Sequence, residues 1–385
     1  MSKTVRLFDI DARMSLFDAT VNACERLDDG KFSVILDKTA FFPNEGGQTC
    51  DTGRIGGASV LSVDEKDGVI IHTVTSPVET GARVSCEIDY AERYRKMQDH
   101  TAEHIVSGLI HKHFGYENVG FHLGADYMTA DFDGELSDDD IALIETLANE
   151  AVYACRSVRA YYPDGETLKD LEYRSKLDLT ENVRIVEIEG VDMCACCAPH
   201  VNNTGEVGLI KIIDAIKYKG GMRLTMLAGR DALADFRARL GQIRRVSMAI
   251  SAKQTEIADG VDRLVEELGK MKGEISQLKR EMIDLRLSSL EYTKDSIIIF
   301  EDSDDMLAWR NFVNGAVKKT EKICAVFAGN DENGYKYIIA SENIPLRAIS
   351  KEISTNLGGK GGGSDLMIQG STPAPRTRIE EFFKF

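Results

Sequence analysis

Residues 91–115 read AERYRKMQDHTAEHIVSGLIHKHFG, and this stretch predicts a helix around which the rest of the chain can be organised. Its apolar residues recur near helical spacing, at Met97, Ile105, Leu109 and Phe114. Gly115 is a natural end for such a helix. The same helix carries the motif HTAEH, which is the first sign of chemistry in the sequence.

His100 and His104 lie four positions apart within that motif. Four residues of helix turn through about 400° and rise by about 6 Å, so both imidazoles project from one face. A helix presents two ligands to one metal ion in this way. A pair of ordinary half-buried histidines is the alternative interpretation, and the motif alone does not separate the two.

A second histidine motif lies downstream, in the stretch MCACCAPHVNNTG at residues 193–205. Cys196 and His200 are again four positions apart, and Pro199 argues against a regular helix through them. Together with His100 and His104 they supply three imidazoles and one thiolate. This combination of soft sulfur and borderline nitrogen donors is typical of zinc.

Other interpretations of these motifs remain open at this point. Cys194 and Cys197 are either alternative ligands or inert core thiols. A metalloprotease motif needs glutamate directly after its first histidine, and Thr101 stands there instead. A cysteine protease would need an orienting partner that the sequence does not offer.

The segments on either side predict an α+β protein in four parts. Residues 1–90 predict a β-rich, barrel-like domain that includes the glycine-rich stretch FFPNEGGQTCDTGRIGG, and residues 91–235 predict an α+β domain with the zinc motifs. Residues 236–292 carry an unbroken 4-3-4-3 apolar seam, which predicts a coiled coil or a helical hairpin. Residues 293–385 predict a small α/β domain. Self-association through the seam, as a homodimer at residues 243–285 or through the C-terminal domain, is one expectation.

Composition narrows the class of protein. The 385 residues include 8 cysteines and have a net charge of −16, which argues against a nucleic-acid binder unless it has a local basic patch. There is no apolar run long enough for a transmembrane helix and no signal peptide, so we expect a cytoplasmic protein with reduced thiols and no membrane partner. Clustered cysteines there indicate metal binding or catalysis more often than disulfides.

The motifs HTAEH, CCAPHVNNTGEVGLIKI and KYKGGMRLTMLAG together resemble the editing domain of alanyl-tRNA synthetases and of the free-standing alanyl-tRNA editing proteins known as AlaX. The stretch FFPNEGGQTCDTG resembles the glycine-rich motif of that family, with Glu45 where the family usually has glycine. The final GGKGGGSDLMIQG resembles the DHH-associated C-terminal domain of the synthetases. The resemblance covers nearly the whole chain without an aminoacylation domain, and it identifies the chain with the long AlaX form.

The resemblance implies hydrolysis of tRNA(Ala) that carries serine, or secondarily glycine, with one zinc ion held by His100, His104, Cys196 and His200. Water activated by that zinc ion would be the reactive group, and no side chain is assigned as the base. Polar candidates for substrate binding, chosen because they are near these motifs in sequence, are Thr101, His122 and Thr129, with Gln48 if the glycine-rich loop folds over the site. Gly46 and Gly47 are candidates for bringing backbone N–H groups close to the terminal nucleotides. Ordinary structural roles are the alternative interpretation for all six. Two further classes stay open, a zinc-dependent hydrolase of another aminoacyl or small ester and a non-catalytic tRNA-binding protein with structural zinc.

Contact with tRNA needs local positive charge. A small basic cluster stands in KYKGGMR, and the GGKGGG loop supplies one further lysine, so the expected contacts are Lys217, Lys219, Arg223 and Lys360. A solvated basic turn is the alternative interpretation in both places. With so acidic a chain we expect tRNA binding to depend strongly on salt.

Overall fold

A computed structural model describes residues 2–175, 182–303 and 305–384. Contacts divide the chain into two compact units, Met1–Arg244 and Arg245–Phe385. Both units mix helices with sheets, as the sequence predicted. The finer division into four domains stays an interpretation.

The first unit begins with a closed six-stranded barrel. The N-terminal segment has eight strands, six of which form the barrel: β1 (Val5–Arg6), β2 (Leu16–Arg26), β3 (Phe32–Leu36), β4 (Lys38–Thr39), β5 (Gly53–Ile55), β6 (Ala58–Lys66), β7 (Val69–Val74) and β8 (Arg83–Ile88). The barrel closes in the order β2-β3-β7-β6-β5-β8, and β1 pairs with β4 outside it. Alternate residues of β7 are buried, because successive side chains of a strand face opposite sides of the sheet.

The rest of the first unit is built around the helix predicted at residues 91–115. Its elements in chain order are α1 (Tyr90–Phe114), β9 (Asn118–Leu123), β10 (Met128–Phe132), α2 (Asp138–Tyr153), β11 (Val158–Tyr161), α3 (Gly165–Asp170), β12 (Ile185–Ile188), β13 (Asp192–Ala195), β14 (Ile210–Tyr218), β15 (Gly221–Ala228) and α4 (Gly229–Ala249). Antiparallel sheets form in the orders β14-β15-β10-β9 and β11-β12-β13.

Local sequence accounts for both ends of α1 and for the start of α2. Asp89 caps α1 by accepting a hydrogen bond from the Glu92 amide, and Gly115 ends it in the left-handed conformation that glycine adopts most readily. Ser137 caps α2 in a capping box with Asp140. The predicted end at Gly115 is confirmed.

The second unit contains α5 (Ile257–Ser289), β16 (Ile297–Glu301), α6 (Met306–Ala316), β17 (Cys324–Asn330), β18 (Gly334–Ala340), α7 (Leu346–Leu357), β19 (Lys360–Gly363), β20 (Met367–Thr372) and α8 (Arg376–Phe382). Its sheet has the order β16-β17-β18-β20-β19. The expectation of a loop at GGKGGG is wrong for its second half. Lys360 begins strand β19, because pairing with β20 outweighs the low strand propensity of glycine.

Helix α5 carries the predicted apolar seam and continues through Gly260, Gly269 and Gly273. The seam residues are 38 to 70% exposed, and they are Val261, Leu264, Leu268, Met271, Ile275, Leu278, Met282 and Leu285. Whether a second helix covers them stays a prediction. In the parts of the chain that the structure describes, no helix has both the length and the hydrophobicity to cross a bilayer.

Candidate metal centre

Four donor side chains predicted from the two histidine motifs meet at one point of the first unit. His100 and His104 project from α1, and Cys196 and His200 belong to the segment that follows β13. Their ligand atoms all lie within 4.8 Å of one another. The three histidines are buried and Cys196 is half-buried, so the cluster lies inside the protein rather than on its surface.

The segment after β13 is held by an arginine that sequence reasoning missed. The backbone N–H of Cys196 donates to the carbonyl of Arg184 at 3.0 Å. In return, the Arg184 guanidinium donates to the carbonyls of Cys196 and Ala198 at 3.0 and 2.8 Å. These bonds satisfy buried carbonyls where Pro199 prevents a helix, and they fix the direction in which Cys196 and His200 point.

Each histidine has its second ring nitrogen occupied by an outer partner. His100 Nδ1 lies 3.0 Å from Gln48 Oε1. His104 Nδ1 lies 3.0 Å from Asp192 Oδ2, and His200 Nδ1 lies 3.0 Å from Thr101 Oγ1. Metal-binding histidines almost always donate this nitrogen to a carboxylate, carbonyl or other acceptor, so the pattern is the one expected where Nε2 atoms bind a metal ion.

Distances within the cluster fit a small tetrahedral metal site. Cys196 Sγ lies 3.6 Å from His100 Nε2 and 3.4 Å from His200 Nε2. Zinc bonds to sulfur and nitrogen in a tetrahedral arrangement place those two atoms about 3.5 Å apart. The donor set and its spacing therefore fit zinc.

The protonation states of the cluster also favour a bound metal ion. Burial and the neighbouring imidazoles of His104 and His100 hold the pKa of His200 well below its usual value. The ring is therefore neutral, which is the form that binds metal. Burial raises the pKa of the Cys196 thiol well above its usual value. A thiolate at this position thus needs a cation beside it, and a metal ion supplies one.

A cavity of about 340 Å³ opens next to the cluster. The charged residues that line it are Arg6, Glu45, Glu103, Arg174 and Arg184, and its other lining residues include His100, His104, Phe121, Tyr162 and Cys196. Its size suits a small group such as an aminoacyl moiety rather than a macromolecule. Its wall combines aromatic surface with both signs of charge.

The glycine-rich stretch reaches the cluster through a two-residue turn. The Glu45 N–H donates to the Gln48 carbonyl at 3.2 Å, and the Gln48 N–H donates back at 3.0 Å. Gly46 and Gly47 between them have φ of +63° and +80°, as the tight turn of a type I′ hairpin requires. The turn is seated on β9, where a Cβ atom on Gly47 would lie 2.5 Å from the Phe121 carbonyl oxygen.

Gln48, one of the predicted substrate-binding residues, is 2% exposed beside His100. Its Oε1 faces the His100 ring, and its Nε2 has no hydrogen-bond partner among the described residues. A buried donor without a partner costs free energy, so this amide is ready for an acceptor from a ligand. Thr101 is fully buried and its hydroxyl is committed to orienting His200 and to the Val201 amide.

The structure does not bring His122 and Thr129 to the cluster. They pair with each other across β9 and β10. Their neighbour Phe121 packs against His100 with ring centroids 4.7 Å apart, and alternate residues of a strand face opposite sides. His122 and Thr129 therefore lie on the face of the sheet that points away from the metal ligands.

The predicted tRNA contacts in the first unit share the hairpin formed by β14 and β15, where two of them are already paired with acids. Arg223 forms an ion pair with Asp131 at 2.6 Å, and Lys217 forms one with Glu135 at 2.6 Å. Lys219 is at the β14–β15 turn, with its Nζ 5.1 Å from the ring centre of Tyr218. Lys360 belongs to the second unit. The cluster in KYKGGMR thus keeps less free positive charge than its sequence suggests.

Two buried acids beside the cluster were also missed. Asp192 accepts from His104 and receives both Nε and Nη2 of Arg174, at 2.7 and 2.9 Å. These contacts lower its pKa against the opposing effect of burial. Glu103 is 4% exposed and accepts hydrogen bonds from Ser107 and Asn118. The available signal for Asp192 was an acid at the start of the short strand β13. For Glu103, helical periodicity gave no sign that its carboxylate would be buried.

Comparisons with known proteins agree with this arrangement. Residues 183–265 match the family described as the threonyl and alanyl tRNA synthetase second additional domain, a range that contains Cys196 and His200. An alanyl-tRNA editing protein AlaX-M of Methanosarcina mazei is 37% identical over 56% of this chain and 92% of its own length. The AlaX-L protein of Pyrococcus horikoshii is 26% identical, with 93% of this chain and 91% of its own length covered.

The comparison also extends to longer enzymes. An alanine–tRNA ligase of Ignicoccus hospitalis is 28% identical over 94% of this chain, and the matched region is 40% of that ligase. The chain spans about a third to two fifths of the length of the ligases that it matches.

Proposed function

The chain belongs to the family of alanyl-tRNA editing proteins, and from that premise we propose that it hydrolyses the aminoacyl ester of tRNA(Ala) charged with the wrong amino acid. The observation that carries the proposal is the cluster of His100, His104, Cys196 and His200 at the wall of a cavity sized for an aminoacyl group. The same cluster would serve a reaction in trans, on tRNA released by a synthetase.

We propose zinc as the metal and these four residues as its ligands. When bound, zinc supplies Lewis acidity, which polarises a carbonyl and lowers the pKa of water. These four side chains would fill the four positions that a structural zinc ion usually has. We therefore assign recognition of the amino acid to the cavity wall, whose side chains bind and orient the ester, while Gln48, Asp192 and Thr101 keep the three imidazoles in place.

Serine is the proposed amino acid, with glycine as a second candidate. Serine differs from alanine by one hydroxyl, and a buried polar group meant for that hydroxyl is left unpaired when alanine binds. Such a site can reject the analogue that lacks the group by about 10⁴-fold. The unpartnered Nε2 of Gln48 supports its role as the donor to the serine hydroxyl.

Contact with tRNA is proposed at two kinds of position. Three arginines line the cavity, where the charged 3′ end must enter, and Lys219 and Lys360 are placed at a turn and at an edge strand farther along the chain. The net charge of −16 opposes binding overall, so these cationic contacts must carry it. Because such contacts release counterions from the phosphates, binding should weaken as salt rises.

Self-association through α5 is a separate proposal. Its apolar seam repeats at heptad spacing and stays exposed along the helix. A second copy of the same helix would cover it as in a coiled coil.

Release of serine from Ser-tRNA(Ala), with Ala-tRNA(Ala) as the comparison, tests the proposed function. We expect zinc-loaded protein to release serine and to spare alanine. His104→Ala should reduce serine release at least about 100-fold and lower the bound zinc, since loss of a ligand exceeds the cost of losing an outer partner. His111→Ala, on the same helix but exposed, is the matched control and should leave both unchanged.

Folded, zinc-loaded protein that releases no serine above background would contradict the proposal. It would favour hydrolysis of another small ester if such esters are cleaved. Equal serine release by wild type and His104→Ala would reduce the cluster to a structural metal site.

A further inference from the structure

Glu45 occupies a defined position at the mouth of the cavity. It pairs with Gln48 across the two-residue turn, and residues paired across a hairpin project from the same face. Gln48 directs its side chain to His100, so Glu45 stands on the side of the turn that faces the site. It lines the cavity together with Gly46.

Arg6 holds the carboxylate of Glu45 there. Arg6 Nη2 donates to Glu45 Oε2 at 3.1 Å, and Cys197 lines the same cavity. The same Arg6 Nη2 also donates to Glu65 Oε2 at 2.7 Å. Because Glu65 remains on Arg6, Glu45 can take a second cationic partner without leaving the guanidinium unpaired.

Charges around the cavity make Glu45 the carboxylate that a ligand can reach. Arg174 is bound to Asp192, whereas Glu103 is buried and accepts from Ser107 and Asn118. The Glu45 side chain is 41% exposed. Within residues 2–175 and 182–303, the cavity wall thus offers three guanidinium groups and this one accessible acid.

An aminoacyl ester brings a cation into these surroundings. Its α-ammonium group stands one carbon from the ester carbonyl, and neighbouring guanidinium groups repel it. A carboxylate that accepts its N–H bonds would remove that penalty, since hydrogen bonds between charged groups are among the strongest in proteins.

We propose that Glu45 binds the α-ammonium group of the aminoacyl moiety and so selects esters with a free amino group over hydroxyacyl and N-acylated esters. This inference rests on the proposed function, because it names the recognition step at the same site. Glu45 acts here as a specificity-determining residue, since it touches the substrate away from the bond that breaks.

Two substrates that differ in one group provide the test. One is Ser-tRNA(Ala), and the other is tRNA(Ala) charged with L-glyceric acid, which has a hydroxyl in place of the amino group. Each rate is divided by the spontaneous rate of the same ester. We expect Glu45→Gln to lower kcat/KM for the seryl ester about 10- to 100-fold and to leave the glyceryl ester unchanged.

Glu65→Gln is the matched control, because it removes the other carboxylate from Arg6 but lies outside the cavity wall. This variant should leave kcat/KM unchanged for both esters. The inference is overturned if Glu45→Gln lowers kcat/KM equally for both esters, or does not lower it at all. It is also overturned if Glu65→Gln lowers kcat/KM for the seryl ester as much as Glu45→Gln does.

A binding measurement separates this inference from the proposed function. The probe is 3′-deoxy-3′-(L-serylamino)adenosine, in which an amide replaces the ester, compared with its glyceryl counterpart. We expect the seryl compound to bind wild type at least about tenfold more tightly than the glyceryl compound, and Glu45→Gln to bind both equally. If wild type hydrolyses no Ser-tRNA(Ala) but shows this preference, the proposed function fails and the role of Glu45 stands. Equal binding of both compounds by wild type would overturn the inference.

Discussion

Helices α1 and α5 depart from the usual relation between polarity and burial in opposite directions. Helix α1 buries charged and polar side chains, namely Arg93, Arg95, Lys96, Asp99, His100, Thr101, Glu103, His104 and Ser107. Helix α5 exposes apolar ones, and Leu268 and Leu285 are 54 and 70% exposed. Each departure costs free energy in isolation, so each must be offset by something else in the molecule or by a partner.

The two helices differ in where that compensation is found. Arg93 binds Asp51 and the carbonyls of Ala12 and Ala40, and His104 binds Asp192, all within the first unit. The apolar seam of α5 has no comparable cover in the chain that the structure describes. Buried polarity therefore marks a built site, whereas exposed apolar surface indicates a surface for a partner.

The largest loss of stability should come from breaking the buried Arg93–Asp51 ion pair on α1. Arg93→Met leaves Asp51 buried without its cation and should lower the free energy of unfolding by about 3–5 kcal/mol. Urea denaturation followed by far-UV circular dichroism measures it. Arg83→Met is the control, because it removes an exposed ion pair with Asp18 in the barrel. It should lower the free energy of unfolding by less than about 1 kcal/mol. Similar losses in the two variants would show that burial does not set the energy of these pairs.

The next effect concerns the outer partners of the metal ligands. Asp192→Asn should lower zinc affinity about 10- to 100-fold, because His104 loses the carboxylate that fixes its ring and raises its basicity. Competition with a chromophoric chelator measures it. Glu117→Gln is the control, because Glu117 is an exposed carboxylate 2.9 Å from His111, another histidine of α1. It should leave zinc affinity unchanged. An unchanged affinity in Asp192→Asn would make its contact with His104 incidental.

A buried histidine in the barrel should make the stability of the protein depend on pH. His72 is fully buried and burial lowers its pKa to about 4, while its ring nitrogens contact Thr39 and the Val34 carbonyl. The unfolded chain takes up this proton near pH 6.5, so stability is full above that pH and is lost as pH falls towards 4. We expect this group alone to cost about 2 kcal/mol between pH 7 and pH 5.

Urea denaturation at the two pH values, in wild type and His72→Gln, isolates that contribution. The variant should lose about 2 kcal/mol less over this range than wild type. A pH dependence that is the same in both proteins would mean that His72 is protonated equally in the folded and unfolded states.

The smallest effect should come from the exposed seam. In dilute monomer, Leu268→Ala should change the free energy of unfolding by no more than about 0.5 kcal/mol, because the side chain buries little within its own chain. Ile283→Ala, on the same helix but 4% exposed, is the control and should cost about 2–5 kcal/mol. Sedimentation at several concentrations shows whether wild type associates and Leu268→Ala does not. A large, concentration-independent loss in Leu268→Ala would contradict the exposure of the seam.

The parts of the site that could be predicted were those whose residues lie close together in sequence or share a recognisable ligand chemistry. The histidine pair on α1 followed from helical spacing, and the cysteine and histidine after β13 followed from complementary ligand chemistry. The outer partners did not, because Gln48 and Asp192 are separated from their histidines by 52 and 88 positions and only the tertiary fold joins them.

Two positions have local physical causes for the difference between pattern and fold. His122 is one position away from the strand residue that reaches the cluster, Phe121, and a shift of one residue moves a strand side chain to the other face. The glycines around Lys360 predict a loop, although pairing with β20 makes the segment a strand. Sequence patterns identified the elements, but they did not determine which face or edge met which partner.

The turn at residues 45–48 has a consequence for how this site can diversify. Its two central positions tolerate little change, because both have positive φ and a side chain at Gly47 would collide with the backbone of β9. Its two outer positions project towards the cavity and the metal ligands, and the turn places no conformational demand on their side chains. Evolution or protein engineering could therefore retune substrate choice through position 45, while Gln48 continues to hold His100 and the intervening glycines keep the two outer positions in register.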